Sequence, residues 1–126
     1  MPDSKHVLIV DDEPDIRLGV GMWLESVGYA VSFAETGEQG LHAAQEQRPH
    51  AILLDMLMPG IDGIETLRRL RLDEATRDIP VAMLSASLRD EQRALDAGAA
   101  YFIKKPHQGR ALVDAISATI DGGPRA

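Results

Sequence analysis

Acidic side chains stand at two places where a short apolar run stops. Asp11-Asp12-Glu13 follow the first run of the chain, Val7–Val10, and Asp55 follows the third, Ala51–Leu54. Ser85 closes the fourth, Val81–Leu84, and Lys104-Lys105-Pro106 follow the fifth, which ends at Ile103. If the first and third runs are neighbouring strands, Asp11, Asp12 and Asp55 share one crevice. Clustered carboxylates repel one another and raise each other's pKa, and a hard cation relieves that repulsion. Oxygen ligands of this kind suit Mg²⁺, with Mn²⁺ as an alternative. Lys105 and Ser85 add an ammonium and a hydroxyl to the same opening. Such a set fits a phosphoryl group in transfer. The cation and Lys105 neutralise its oxygens, Ser85 donates a hydrogen bond, and one carboxylate attacks.

The elements that must position these residues are readable from periodicity. Pro14 to Val27 carries Ile16, Val20, Trp23, Leu24 and Val27 at helical spacing, with proline near the start and Gly28 past the end. That spacing predicts Trp23 in the core. Tyr29 to Ala34 alternates as an edge strand does. Thr36 to Gln47 reads as a helix capped by Thr36 with Gln39 three residues on, stopped by Pro49. Met58-Pro59-Gly60 is a turn. Helices are also expected at Gly63 to about Leu72, Leu88 to Ala97 (ended by Gly98) and His107 to about Ile120. Five short apolar strands alternate with five helices, the pattern of an α/β domain with a doubly wound parallel sheet. In such sheets ligand chemistry sits beyond the carboxyl ends of the strands, where the acids, Ser85 and Lys105 stand.

Composition narrows the function classes. A chain of 126 residues has the size of one domain. We expect residues 1–121 to form it and 122–126 to be a flexible tail, with no separate effector domain. The chain has no cysteine, which excludes a disulfide framework, a thiol nucleophile and a thiolate zinc site. Thirteen basic and 20 acidic residues give a net charge of −7. That sign argues against direct nucleic-acid or membrane-surface partners. No apolar run approaches a membrane span or a signal peptide, so a cytoplasmic location is expected.

Taken in order, Val10-Asp11-Asp12-Glu13-Pro14, Leu54 to Gly63, Asp78-Ile79-Pro80-Val81, Leu84-Ser85-Ala86, Ala97-Gly98-Ala99 and Lys104-Lys105-Pro106 resemble the receiver domain of bacterial two-component response regulators. The resemblance runs from about Lys5 to Ile120. It implies a flavodoxin-like (βα)5 fold with strand order 2-1-3-4-5. Asp55 is then similar to the phosphoacceptor aspartate, and Asp12 to the direct metal-ligand acid. Asp11 resembles the neighbour acting mainly through metal-bound water, and the Leu57 backbone carbonyl would be a further ligand. Ser85 and Phe102 match the two switch positions, and Lys105 matches the phosphate-pairing lysine, before a peptide bond to Pro106 that is commonly cis. The implied donor is a phosphohistidine on a sensor histidine kinase or phosphotransfer protein. The implied output is a downstream protein target or effector domain. Such a domain assists its own phosphorylation and dephosphorylation and is not an enzyme on external substrates. Two departures stand out. The stretch from Ser85 to Lys105 is slightly short, a trim expected in the loop after the fourth strand or in the fourth helix. His107 stands where an apolar aromatic often follows, and no catalytic role is given to it.

Each feature also has a plainer reading. The acids before Pro14 could cap a helix, Ser85 could be an ordinary strand-end hydroxyl, and Lys104 a solvated charge. Phe102 and Trp23 alone would be core. The four histidines show no metal-ligand spacing. Two rival functions are a phosphorylation-independent pseudo-receiver that only binds partners, and an aspartate-nucleophile phosphatase. The second normally shows Asp-x-Asp at the first strand end and a cap domain, for which this chain has no room. Flavin binding is disfavoured because three acids after the first strand would repel a cofactor phosphate.

Overall fold

A computed structural model describes residues 4–105 and 109–122. The expectations for Pro106, for His107 and for residues 123–126 lie outside the described residues. Five strands form one parallel sheet: β1 (His6–Val10), β2 (Ala30–Ala34), β3 (Ala51–Asp55), β4 (Val81–Ser85) and β5 (Tyr101–Lys104). Their order is β2-β1-β3-β4-β5. The helices are α1 (Pro14–Ser26), α2 (Gly37–Gln47), α3 (Gly63–Leu72), α4 (Glu91–Asp96) and α5 (Arg110–Gly122), with a single 3₁₀ turn, Leu88–Asp90, before α4.

Side chains alternate across each strand, so the sheet has two apolar faces. Leu8, Val10, Ile52, Leu54, Val81 and Met83 pack with Ala44 of α2, Leu67 and Leu70 of α3 and Ala94 of α4. Val7, Ile9, Leu53, Ala82, Leu84 and Ile103 pack with Val20 and Leu24 of α1 and with Leu112, Ala115 and Ile116 of α5. β3 and β4 are buried along their whole length, which accounts for their unbroken apolar runs.

The local signals operate largely as read. Thr36 accepts a hydrogen bond from the Gln39 backbone N–H at 3.1 Å, and Gln39 Oε1 accepts one from the Glu35 N–H at 3.0 Å, one residue earlier than a strict capping box requires. Asp62 caps α3 by accepting from the Glu65 N–H at 2.9 Å. Arg48 ends α2 in the left-handed region, with φ of 47°. Beyond α3, the Arg71 guanidinium donates to the carbonyls of Arg77, Ile79 and Gly98, tying the loop before β4 to the turn before β5.

Trp23 corrects an expectation. It is 46% exposed, and Val27 is exposed as well. The inward arc of α1 is narrower than its apolar stripe: Val20, Gly21 and Leu24 are buried, with Ile16 packed beside them. Trp23 lies on the flank, its ring about 3.5 Å from where a side chain on Gly109 would begin.

Candidate functional site

The strand register sets the floor of the site. Val10 pairs with Leu54 across β1 and β3, so the next residues, Asp11 and Asp55, come level at the carboxyl end of the sheet. This is the switch point of the topology: the chain leaves β1 toward β2 on one side and returns to β3 on the other. Asp55 pairs with Leu84, and Ser85 with Lys104, which brings Lys105 to the same rim.

Asp11, Asp12, Glu13 and Asp55 each offer a carboxylate oxygen within 4.8 Å of the others. Asp11 is 1% and Asp55 4% exposed. Lys105 Nζ reaches into this cluster, at 3.1 Å from Asp55 Oδ1, 3.2 Å from Glu13 Oε1 and 3.5 Å from Asp11 Oδ2. Three carboxylates thus share one ammonium, with Asp12 a fourth acid in the cluster. Burial and the Asp11 charge push the Asp55 pKa up to about 6, against the hydrogen bond and charge of Lys105. Burial is also the main cause that raises Asp11, opposed by the Glu13 N–H and Lys105. Burial by itself would lower Lys105, but the hydrogen bond and charge of Asp55, with Asp11 and Glu13, outweigh it and hold the ammonium above its usual value.

Asp11 is also positioned by its surroundings. Its Oδ1 accepts the Glu13 N–H at 2.9 Å, which turns the chain into α1, and Arg17 Nη1 donates to its carbonyl at 2.7 Å. Its Oδ2 is buried and has no hydrogen-bond partner among the described residues. A buried carboxylate oxygen without a hydrogen bond, whose ammonium neighbour at 3.5 Å is shared with Asp55 and Glu13, is what a hard divalent cation would satisfy, so the donor set fits Mg²⁺. The helix-capping reading and the metal reading use different oxygens of Asp11 and are compatible.

Gly63 sets how closely α3 approaches the floor. A Cβ there would lie 2.8 Å from the Met56 Cα and closer still to the Asp55 carbonyl oxygen. The Gly63 N–H donates to the Met56 carbonyl at 2.9 Å. Leu57, two residues past Asp55, is 73% exposed.

Of the residues read from sequence, the structure gathers Asp11, Asp12, Asp55 and Lys105 into one cluster. Ser85 adjoins it through the backbone, its carbonyl accepting from the Lys105 N–H at 2.7 Å. Its hydroxyl, however, donates to Asp90 Oδ2 at 2.7 Å and accepts the Ser87 N–H at 3.1 Å. Phe102 lies half-buried against the core that holds Met83 and Ala94. Sequence reasoning missed Glu13 as a partner of Lys105, Arg17 as a support of Asp11, and Asp90. The first pair is 92 positions apart and has no local signal.

Residues 7–117 match the family of the response regulator receiver domain. The chain belongs to the response regulator receiver family. This receiver domain is 41% identical over 119 residues to the phosphate regulon transcriptional regulatory protein PhoB of Pseudomonas aeruginosa, covering 93% of this chain and 52% of PhoB. It is 41% identical over 122 residues to the transcriptional regulatory protein CseB of Streptomyces coelicolor, covering 95% of this chain and 51% of CseB. The chain therefore spans about half the length of these relatives. Among solved structures, a putative response regulator from Chloroflexus aurantiacus superposes with a TM-score of 0.90 at 29% identity, over 94% of this chain and 99% of that one. The receiver domain of a sensor histidine kinase from Pseudomonas aeruginosa, with magnesium coordinated in its active-site cleft, gives 0.86 at 30% identity, over 94% and 98%. The fold and the acidic pocket of this receiver domain are those of a two-component signalling module. No helix among the described residues is long and apolar enough to cross a membrane.

Proposed function

We propose that Asp55 accepts a phosphoryl group from the phosphohistidine of a sensor histidine kinase or phosphotransfer protein. The observation that carries this reading is Lys105 Nζ at 3.1 Å from Asp55 Oδ1, beside Asp11 Oδ2, which is buried without a hydrogen bond. With its pKa at about 6, Asp55 is mostly ionised at neutral pH and can attack. A carboxylate oxygen of Asp55 bonds to phosphorus, the phosphorus–nitrogen bond breaks, and the imidazole leaves with the electron pair and takes a proton from water. The product is an acyl phosphate, and water resets it by hydrolysis. Mg²⁺ (or Mn²⁺) would be held by Asp11, Asp12, Asp55 and the Leu57 carbonyl, and when bound it supplies positive charge to the phosphoryl oxygens. Lys105 leaves its carboxylate partners to pair with the new phosphoryl charge. Ser85 donates its hydroxyl proton to a phosphoryl oxygen, and Phe102 moves into the space that change opens. The face around α4, β5 and α5 is thereby biased toward a cytoplasmic protein target or an effector domain. The domain itself contacts neither nucleic acid nor membrane and has no external substrate.

Incubation with Mg²⁺ and a small phosphodonor such as acetyl phosphate, followed by intact mass measurement, tests the assignment. Wild type gains one phosphoryl group and Asp55→Asn gains none. A wild type that stays unlabelled while a control receiver is labelled would return the chain to a phosphorylation-independent binding role.

A further inference from the structure

We propose that Asp90 is a positioning residue that latches the Ser85 hydroxyl away from the phosphoacceptor and so sets the threshold of the switch. This rests on the reading of Asp55 as phosphoacceptor and of Ser85 as the hydroxyl that later meets the phosphoryl group. A serine hydroxyl has one proton to donate. In the unphosphorylated protein that proton goes to Asp90 Oδ2 at 2.7 Å, the length of a bond assisted by the carboxylate charge. The lone pair of the same oxygen takes the Ser87 N–H, so both halves of the hydroxyl are engaged along the turn after β4. A phosphoryl group on Asp55 can gain the Ser85 bond only by taking it from Asp90.

Three features make Asp90 more than a chance neighbour. It stands where the 3₁₀ turn Leu88–Asp90, capped by Ser87, runs into α4, and its side chain makes no capping bond, which leaves the carboxylate free for other partners. That carboxylate is committed to Ser85 through one oxygen and to Arg93 Nη1, at 3.5 Å, through the other. It is 17% exposed, so the bond competes with little water. And α4 is weakly held: six residues long, it buries Ala94 alone. The Ser85–Asp90 bond therefore joins the end of a buried central strand to the start of a loosely packed helix. Its release would transmit occupancy of Asp55 to α4.

The test is a beryllofluoride titration of the whole chain in Mg²⁺, followed by the amide signals of Ser87 and Phe102. In Asp90→Ala, the free protein shifts toward the wild-type bound spectrum. Half-saturation falls about tenfold, the change expected for removing one competing charge-assisted hydrogen bond. Asp90→Asn keeps the shape and a neutral acceptor and falls between, which guards against a folding defect in the alanine variant. Ser85→Ala and Ser85→Ala/Asp90→Ala have equal half-saturation, because Asp90 acts through Ser85; a merely structural loss at α4 would separate them. A wild type that responds normally with Asp90→Ala unchanged, or an Asp90→Ala effect that persists without the Ser85 hydroxyl, overturns the latch alone. A wild type with no beryllofluoride response overturns the phosphoacceptor reading and the latch with it.

Discussion

α3 and α4 pack on the same face of the sheet and follow neighbouring central strands, yet they are held very differently. α3 is capped by Asp62, buries Gly63, Thr66, Leu67 and Leu70, and carries Glu65 between Arg68 and Arg69. α4 continues from the 3₁₀ turn that Ser87 caps, buries Ala94, and leaves Leu95 exposed. The difference separates two tasks. The floor of the pocket, where α3 meets Asp55, is over-determined by packing and backbone contacts. The element beside Ser85 is held by few contacts and is the cheaper one to move. Low local stability belongs where a structure must respond, and dense packing where it must hold reacting groups in place.

The comparison can be broken most forcefully from the α3 side. Leu67→Ala removes a fully buried side chain and should cost about 2–5 kcal/mol, whereas Leu95→Ala in α4 should stay within about 0.5 kcal/mol. Urea unfolding of both variants checks this, and equal losses would end the contrast. Gly63→Ala places a methyl group against backbone atoms of Asp55 and Met56 that cannot rotate away. It should destabilise by about 1–3 kcal/mol and slow labelling by acetyl phosphate, both measurable on one preparation.

The carboxylate pocket should also be visible in pH dependence without Mg²⁺. The folded-state pKa of Asp55 is raised to about 6, so the native chain holds this proton more tightly than the unfolded chain. The stabilising effect of that proton is present at low pH and is lost as pH rises through about 6. Asp55→Asn should therefore be more stable than wild type at pH 8 by about 1–3 kcal/mol, and the gap should close toward pH 4. A gap independent of pH would mean the pocket is not strained. Mg²⁺ affinity should weaken below pH 6 for the same reason.

The smallest effect lies at the opposite end of the sheet. Burial and the nearby His50 lower the pKa of His6, so its contribution runs the other way: present above about 6.5 and lost as pH falls through the folded value. In the Asp55→Asn background, which removes one of the two opposing carboxylates and leaves Asp11, stability should decline more steeply than in wild type on acidification from pH 7 to 5. His6→Gln should flatten that decline.

The order of elements and the reacting residues were legible because each is announced locally. Unbroken apolar runs mark strands buried on both faces, and polar residues at their carboxyl ends mark the rim. Periodicity was less informative for Trp23, because it gives the direction of a side chain from its own helix and not whether another layer covers it. The histidines showed no ligand spacing, yet His6 N–H donates to His50 Nδ1 at 2.9 Å, a meeting made by the pairing of β1 with β3. Glu13 with Lys105 and Ser85 with Asp90 were likewise invisible. A side chain's partner depends on rotamer and on which neighbours compete for it.

The amino-acid sequence by itself determined the α/β alternation, the family, and the presence of Asp11, Asp12, Asp55, Ser85 and Lys105 at strand ends, since these follow from residue type and short-range spacing. Tertiary structure alone decided how those groups stand toward one another. It gathered four carboxylates, three of them around one ammonium, left Asp11 Oδ2 without a hydrogen bond, and turned the Ser85 proton toward Asp90. Those outcomes depend on burial and on competition among partners distant in the chain, which exist only once the sheet has assembled.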